Sequence, residues 1–372
     1  MSERRFARPT RVVVKVGSSS LRASDGGLDR VLAAELVAQI AAVRARGIEV
    51  VLVSSGAVAA GLRPLGLRTR PADLPGLQAA ASVGQGLLLH TYQARFADHG
   101  LACGQVLLTA DDVVHRPRFL NARNTFDRLL ALGAVPVVNE NDAVATDELR
   151  FGDNDRLAAL VASMLGAQLL VLLSDVDGLH DGHPALGSPL LDRVDDLAEL
   201  DERHHGTSGS EVGTGGMASK LEAARIATFS AASAVIANAR RRDVVIDAVE
   251  GVVVGTWFPP SARRPESRKL WIAFAPQPRG ALLVDAGAVR ALRDRGSSLL
   301  AAGVVDATGE FAPGDAVDVL GPDRRAIARG LVAYGRADVL RVCGASRQEV
   351  SATLGGDARA EVIHRDRLVV TA

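Results

Sequence analysis

The sequence predicts an α/β fold, a three-layer αβα sandwich around a mainly parallel sheet, followed by a small β-rich barrel-like module. Three observations carry that prediction. Short apolar runs such as RVVVKV at residues 11–16 alternate with amphipathic stretches of helix length. The strand-like runs are apolar almost throughout, which suits strands covered on both faces of a parallel sheet. After the segment WFPPSARRPE at residues 257–266 the alternation stops, and short β-type runs separated by glycine turns take over. The corresponding domains are expected at residues 1–265 and 280–358.

In chain order, the first strand at 11–16 is interrupted only by Lys15 and closes on Gly17 and three serines. A lysine on a strand edge often snorkels to water. Here the Gly-Ser turn beside it, at the end of a strand where α/β sheets keep their ligands, favours an anion site. A helix is expected at 28–46, ended by Gly47, and a second strand at 48–53. Ser54-Ser55-Gly56 is another small-residue turn that leads into an Ala-rich segment. A helix at 77–99, a strand at 102–108, a helix at 118–132 and a strand at 134–138 continue the alternation. A helix at 156–165 and a strand at 168–173 follow, and that strand ends on Ser174 and Asp175. The glycine-rich loop at 206–220 is expected to enter a helix at 221–229, and 252–255 reads as the last strand of the domain. The loop lacks the strand context of a dinucleotide fingerprint and the spacing of a Walker A loop. Its glycines, hydroxyls and lysine at a helix start still suit phosphate binding.

Composition narrows the function. With 372 residues, 48% hydrophobic and 23% charged, the chain has the make-up of a folded multidomain protein. Its formal net charge is +0, which points to neither nucleic acid nor an anionic membrane. Cys103 and Cys343 have no metal-ligand spacing and read as reduced thiols. There is no apolar segment of signal-peptide type, and no apolar run approaches the ~18 residues of a bilayer span. A cytoplasmic protein is expected. Of 43 basic residues only three are lysine, Lys15, Lys220 and Lys269. In a chain that uses arginine almost everywhere else, a retained lysine points to a need for a compact ammonium.

Residues 139–155 read NENDAVATDELRFGDND and hold three of the six asparagines in the chain. Asn and Asp compete for backbone hydrogen bonds and suit turns and helix caps, so a polar turn with an N-cap is the plain reading. Their scarcity elsewhere favours a site for a small polar ligand.

Taken in order, KVGS from Lys15, SSGA from Ser54, NENDAVAT from Asn139, GDND from Gly152 and TGGMASK from Thr214 are similar to motifs of the amino acid kinase family, specifically its glutamate-phosphorylating branch. The remainder resembles the PUA domain found at the C-terminus of many of those members. The resemblance implies the amino acid kinase fold and transfer of the ATP γ-phosphoryl group to the γ-carboxylate of L-glutamate with Mg²⁺, the first step towards proline. It also implies proline as feedback inhibitor and a homo-oligomer. Lys15, Lys220 and Asp155 are then the catalytic residues; Ser55, Asp142 and Asn154 hold glutamate. Lys15, Ser174, Asp175, Thr214, Gly215, Gly216, Met217, Ala218, Ser219 and Lys220 bind ATP. No protein ligand is assigned to the metal. PUA domains often bind RNA, but residues 280–372 carry 12 Arg and no Lys against 12 acidic residues. That balance argues against an RNA-binding surface.

Overall fold

The computed structural model describes residues 6–23, 26–109, 112–113, 115–144, 154–182, 187–195, 197, 215–261, 278–355 and 358–370. By packing, the chain separates into two compact units, Met1–Arg264 and Pro265–Ala372.

The first unit is built on a seven-stranded sheet. Its strands are β1 (Arg11–Val16), β2 (Glu49–Ser54), β3 (Cys103–Leu108), β4 (Val135–Glu140), β5 (Leu169–Ser174), β6 (Ser233–Asn238) and β7 (Gly255–Phe258). They lie in the order β3-β4-β2-β1-β5-β6-β7, with every pairing parallel except β6 with β7. Among its helices are α1 (Arg30–Arg44), α2 (Ala57–Leu62), α3 (Leu74–Ala97), α4 (Arg116–Ala131), α5 (Asn154–Leu165), α6 (Gly215–Phe229) and α7 (Val244–Val249). Asp29 and Asp73 cap α1 and α3, accepting hydrogen bonds from the Leu32 and Gly76 amides, so the second of these helices starts three residues before the expected position 77.

β1 lies at the centre, paired on one side with β2 and on the other with β5. The chain leaves it first in one direction and later returns to the opposite side, which makes β1 the switch point of the sheet. Side chains alternate across a strand. Val12, Val14 and Val16 join one apolar core with α1, α3 and α7. Lys15 therefore projects to the opposite layer, where α5 packs.

Two expectations shift. The last strand is not 252–255 but β7 at Gly255–Phe258, running antiparallel on the sheet edge. Trp257 and Phe258, read as part of the boundary segment, are buried within the first unit. Aromatic residues at an edge strand gain more by covering the core than by marking a linker. Likewise α6 begins at Gly215, so Lys220 lies inside the helix and not before it. Glycine carries no special cost in a first turn whose amides are unpaired anyway.

The second unit contains a five-stranded sheet and a two-stranded one around a core of its own, which includes Leu282, Val317, Val319 and Val339. Among its described residues, the helices α8 (Ala286–Arg295), α9 (Arg336–Val342) and α10 (Arg347–Leu354) accompany β strands that dominate as expected. Because the two cores are separate clusters, a chain ending near Ser267 is expected to give a soluble fragment with one cooperative thermal transition. An insoluble fragment would show that both units belong to one cooperative whole.

Candidate active site

Parallel pairing brings the carboxyl ends of β1, β2, β4 and β5 to one edge of the sheet; β2, β4 and β5 end on polar residues, and β1 carries Lys15 one residue before its end. Lys15 is fully buried at the end of β1. Asp155 in the first turn of α5 is buried as completely, and its Oδ1 pairs with the Lys15 ammonium. Its Oδ2 meets the Lys220 Nζ at 3.2 Å and accepts from the Ser219 hydroxyl at 2.9 Å. Lys220 Nζ also donates to the Gly216 carbonyl at 3.0 Å, which curls the lysine back onto the start of α6. One carboxylate thus stands between two ammonium groups from different elements. Together these three groups carry a formal charge of +1. Two ammonium groups brought to one place suit an anionic ligand.

A second, neutral network adjoins the first. Asn154 donates through Nδ2 to the Ser54 carbonyl at 2.9 Å and to Asn139 Oδ1 at 2.6 Å. Asn139 donates in turn to Gln85 Oε1 at 2.6 Å. The Ser54 hydroxyl donates to the Ser55 carbonyl at 3.1 Å and lies 2.9 Å from the Tyr92 hydroxyl, which leaves Tyr92 as the donor of that pair. Burial pushes the Tyr92 phenol up to about 12, against a smaller opposing effect of Ser54, so it stays protonated at neutral pH.

Of the residues singled out in the sequence, Lys15, Asp155, Ser219 and Lys220 meet directly. Gly215, Gly216, Met217 and Ala218 form the opening turn of α6 beneath them. Ser55 follows β2, its amide donating to the Val16 carbonyl at 3.2 Å, so it lies beside the end of β1. Asp142 lies in the turn after β4, half-buried, three residues beyond Asn139. Ser174 ends β5 and donates to the exposed Asp175 at 3.0 Å; these two pair with each other and not with the lysines. Thr214 lies outside the described residues, as do residues 145–153 and most of the glycine-rich loop. Gln85 and Tyr92, both from α3, were not foreseen. Their spacing of seven puts them on one helix face, and Tyr92 is one of only two tyrosines in the chain, the same scarcity that marks the lysines.

Among the described residues no group of three or more His, Cys, Asp or Glu side chains could cage a metal ion. Mg²⁺ asks for no such cage, since it keeps several waters and is held largely by phosphate oxygens. Its arrival with a nucleotide is compatible with the residues present.

Residues 10–238 match the family described as the amino acid kinase family. This chain belongs to that family. Residues 280–354 match the PUA domain. Among curated proteins, this family member is similar to the glutamate 5-kinase of Streptomyces avermitilis, 51% identical over 371 residues that cover 98% of this chain and 97% of the relative. The glutamate 5-kinase of Frankia casuarinae is 52% identical, with 97% and 96% covered. The more distant glutamate 5-kinase of Geobacter sulfurreducens is 45% identical, with 98% of both chains covered. Among the described residues, no helix is long and apolar enough to cross a membrane.

Proposed function

We propose that this amino acid kinase transfers the γ-phosphoryl group of ATP to the γ-carboxylate of L-glutamate, giving L-glutamyl 5-phosphate and ADP, the first step of proline biosynthesis. The observation that carries the reading is the buried Lys15–Asp155–Lys220 cluster, which brings two ammonium groups together, in a chain whose near-full-length relatives bear the name glutamate 5-kinase. A glutamate carboxylate has a reference pKa of ~4.3 and is ionised at neutral pH, so its attack on phosphorus needs no general base. A carboxylate oxygen forms the new bond to the γ-phosphorus, the bond to the ADP oxygen breaks, and no proton moves. What remains is to align two anions and to neutralise the charge on the transferred group.

Lys15 and Lys220 would flank that group, and Asp155, touching both, would fix their spacing. Ser55, Asp142 and Asn154 would hold glutamate; Ser174, Asp175 and the segment from Thr214 to the start of α6 would hold ATP. Mg²⁺, bound through the phosphates and water, would draw off further negative charge. The family resemblance supports proline as feedback inhibitor, assembly of several copies and a cytoplasmic setting. A panel of L-glutamate, carbamate, N-acetylglutamate and UMP, with ADP release as the readout, tests the substrate. Glutamate should be turned over fastest, and a marked preference for any other acceptor would overturn the reading.

Asp142→Ala is expected to raise KM for glutamate far more than KM for ATP. A carboxylate in the turn after β4 suits the substrate ammonium, and one charge-assisted hydrogen bond is worth ~1.5–3 kcal/mol. Steady-state kinetics with each substrate varied would check it; equal changes in both constants would mark Asp142 as structural.

A further inference from the structure

We propose that Gln85 is a positioning residue that fixes Asn154 with its carbonyl oxygen towards the substrate, so that the site selects an α-ammonium group. The inference rests on the glutamate reading above. One backbone atom sets the polarity of the whole network. The Ser54 carbonyl oxygen can only accept, so the Asn154 atom 2.9 Å from it is the amide nitrogen. The second hydrogen of that nitrogen goes to Asn139, which must meet it with Oδ1, 2.6 Å away. Asn139 is then obliged to turn Nδ2 towards Gln85, and Gln85 must answer with Oε1, at 2.6 Å. Three amides are oriented by one carbonyl.

The consequence is chemical. Both Asn154 hydrogens are spent inside the protein, and among the described residues its Oδ1 accepts no hydrogen bond. Asn154 is only 6% exposed, so what it can offer a ligand is an acceptor held in one orientation. An ammonium group, with three N–H donors and a positive charge, is complementary to it.

Gln85 is itself held in place. It follows Gly84, where an added Cβ would overlap the Ala57 carbonyl, just as one on Gly61 would overlap the Ala80 carbonyl. The backbones of α2 and α3 therefore meet directly, and that close approach fixes the residue at the far end of the relay. Without the Gln85 acceptor, the Asn139 amide, 2% exposed, loses the partner that holds its orientation. A reversed Asn139 would oppose its own NH₂ to that of Asn154 and leave both in conflict.

The test uses the full-length protein with Gln85→Leu and Gln85→Glu, varying L-glutamate and ATP. Glutarate, which has both carboxylates but no ammonium, serves as competing ligand. Gln85→Leu should raise KM for glutamate about tenfold, with KM for ATP and the inhibition constant of glutarate changed by less than about twofold. Gln85→Glu keeps the acceptor and should restore KM for glutamate to near its original value. Unfolding temperatures of the two variants should agree. If Gln85→Leu leaves KM for glutamate unchanged, raises all three constants together, or is matched by Gln85→Glu, the relay does not set specificity. If the unaltered protein fails to phosphorylate glutamate at all, it is the functional reading that falls.

Discussion

Replacing Lys220 with arginine is expected to lower kcat by about 10²–10³-fold, equivalent to roughly 3–4 kcal/mol of barrier, and to leave the fold intact. Formal charge is unchanged, so the effect isolates shape. Lys220 Nζ sits between Asp155 Oδ2 and the Gly216 carbonyl, and the residue is only 7% exposed. A planar guanidinium is wider than an ammonium and cannot make both contacts without displacing the backbone of α6 or the phosphoryl group expected there. Elsewhere this chain uses arginine for 40 of its 43 basic positions, so a merely solvated position would accept it. Lys269→Arg, at a position between the two matched domains, is the control and should be nearly silent. Kinetics and thermal melts on both variants decide the matter. An unchanged kcat in Lys220→Arg would reduce Lys220 to a helix-start charge.

Asp155→Ala should damage stability as well as turnover. The carboxylate is fully buried against Lys15, itself fully buried, and against Lys220. Removing one partner of a buried ion pair and leaving the other uncompensated typically costs about 3–5 kcal/mol. Here two ammonium groups would lose the carboxylate that lies between them. Denaturant unfolding of the first unit should show that loss at unchanged m-value, and kcat should fall by at least the factor expected for Lys220→Arg. ATP, which the proposed function places at these lysines, would favour the folded state, so saturating ATP should recover part of the loss. Equal stability with and without the Asp155 carboxylate would mean that the lysines find compensation elsewhere.

Much of this was legible in the sequence because it was written in rarity and punctuation. Lys15 interrupts an apolar strand, and its alternation with Val14 and Val16 already assigns it to the face opposite the α1 core. The scarcity of lysine and asparagine marked Lys220, Asn139 and Asn154 before any contact was known. The antiparallel direction of β7 was not legible, because a four-residue edge strand carries no signal of its polarity. The start of α6 was misread for a physical reason: glycines read as loop, yet they serve equally well in an opening turn.

Gln85 and Tyr92 escaped for another reason. They lie in the middle of a 24-residue helix whose pattern is explained by packing alone. Only the folded sheet brings Gln85 to Asn139, 54 residues later in the chain. A polar side chain on a helix face reads as solvent-facing until the element opposite it is known.

The paired lysines are proposed to serve transfer of a phosphoryl group to a carboxylate. That role is tested most directly by incubating the purified full-length protein with ATP, Mg²⁺, L-glutamate and hydroxylamine, which traps an acyl phosphate as its hydroxamate. γ-Glutamyl hydroxamate is expected to form in step with ADP, strictly dependent on glutamate and strongly reduced in Lys220→Arg. ADP released without hydroxamate, or hydroxamate formed equally well by Lys220→Arg, would contradict that role.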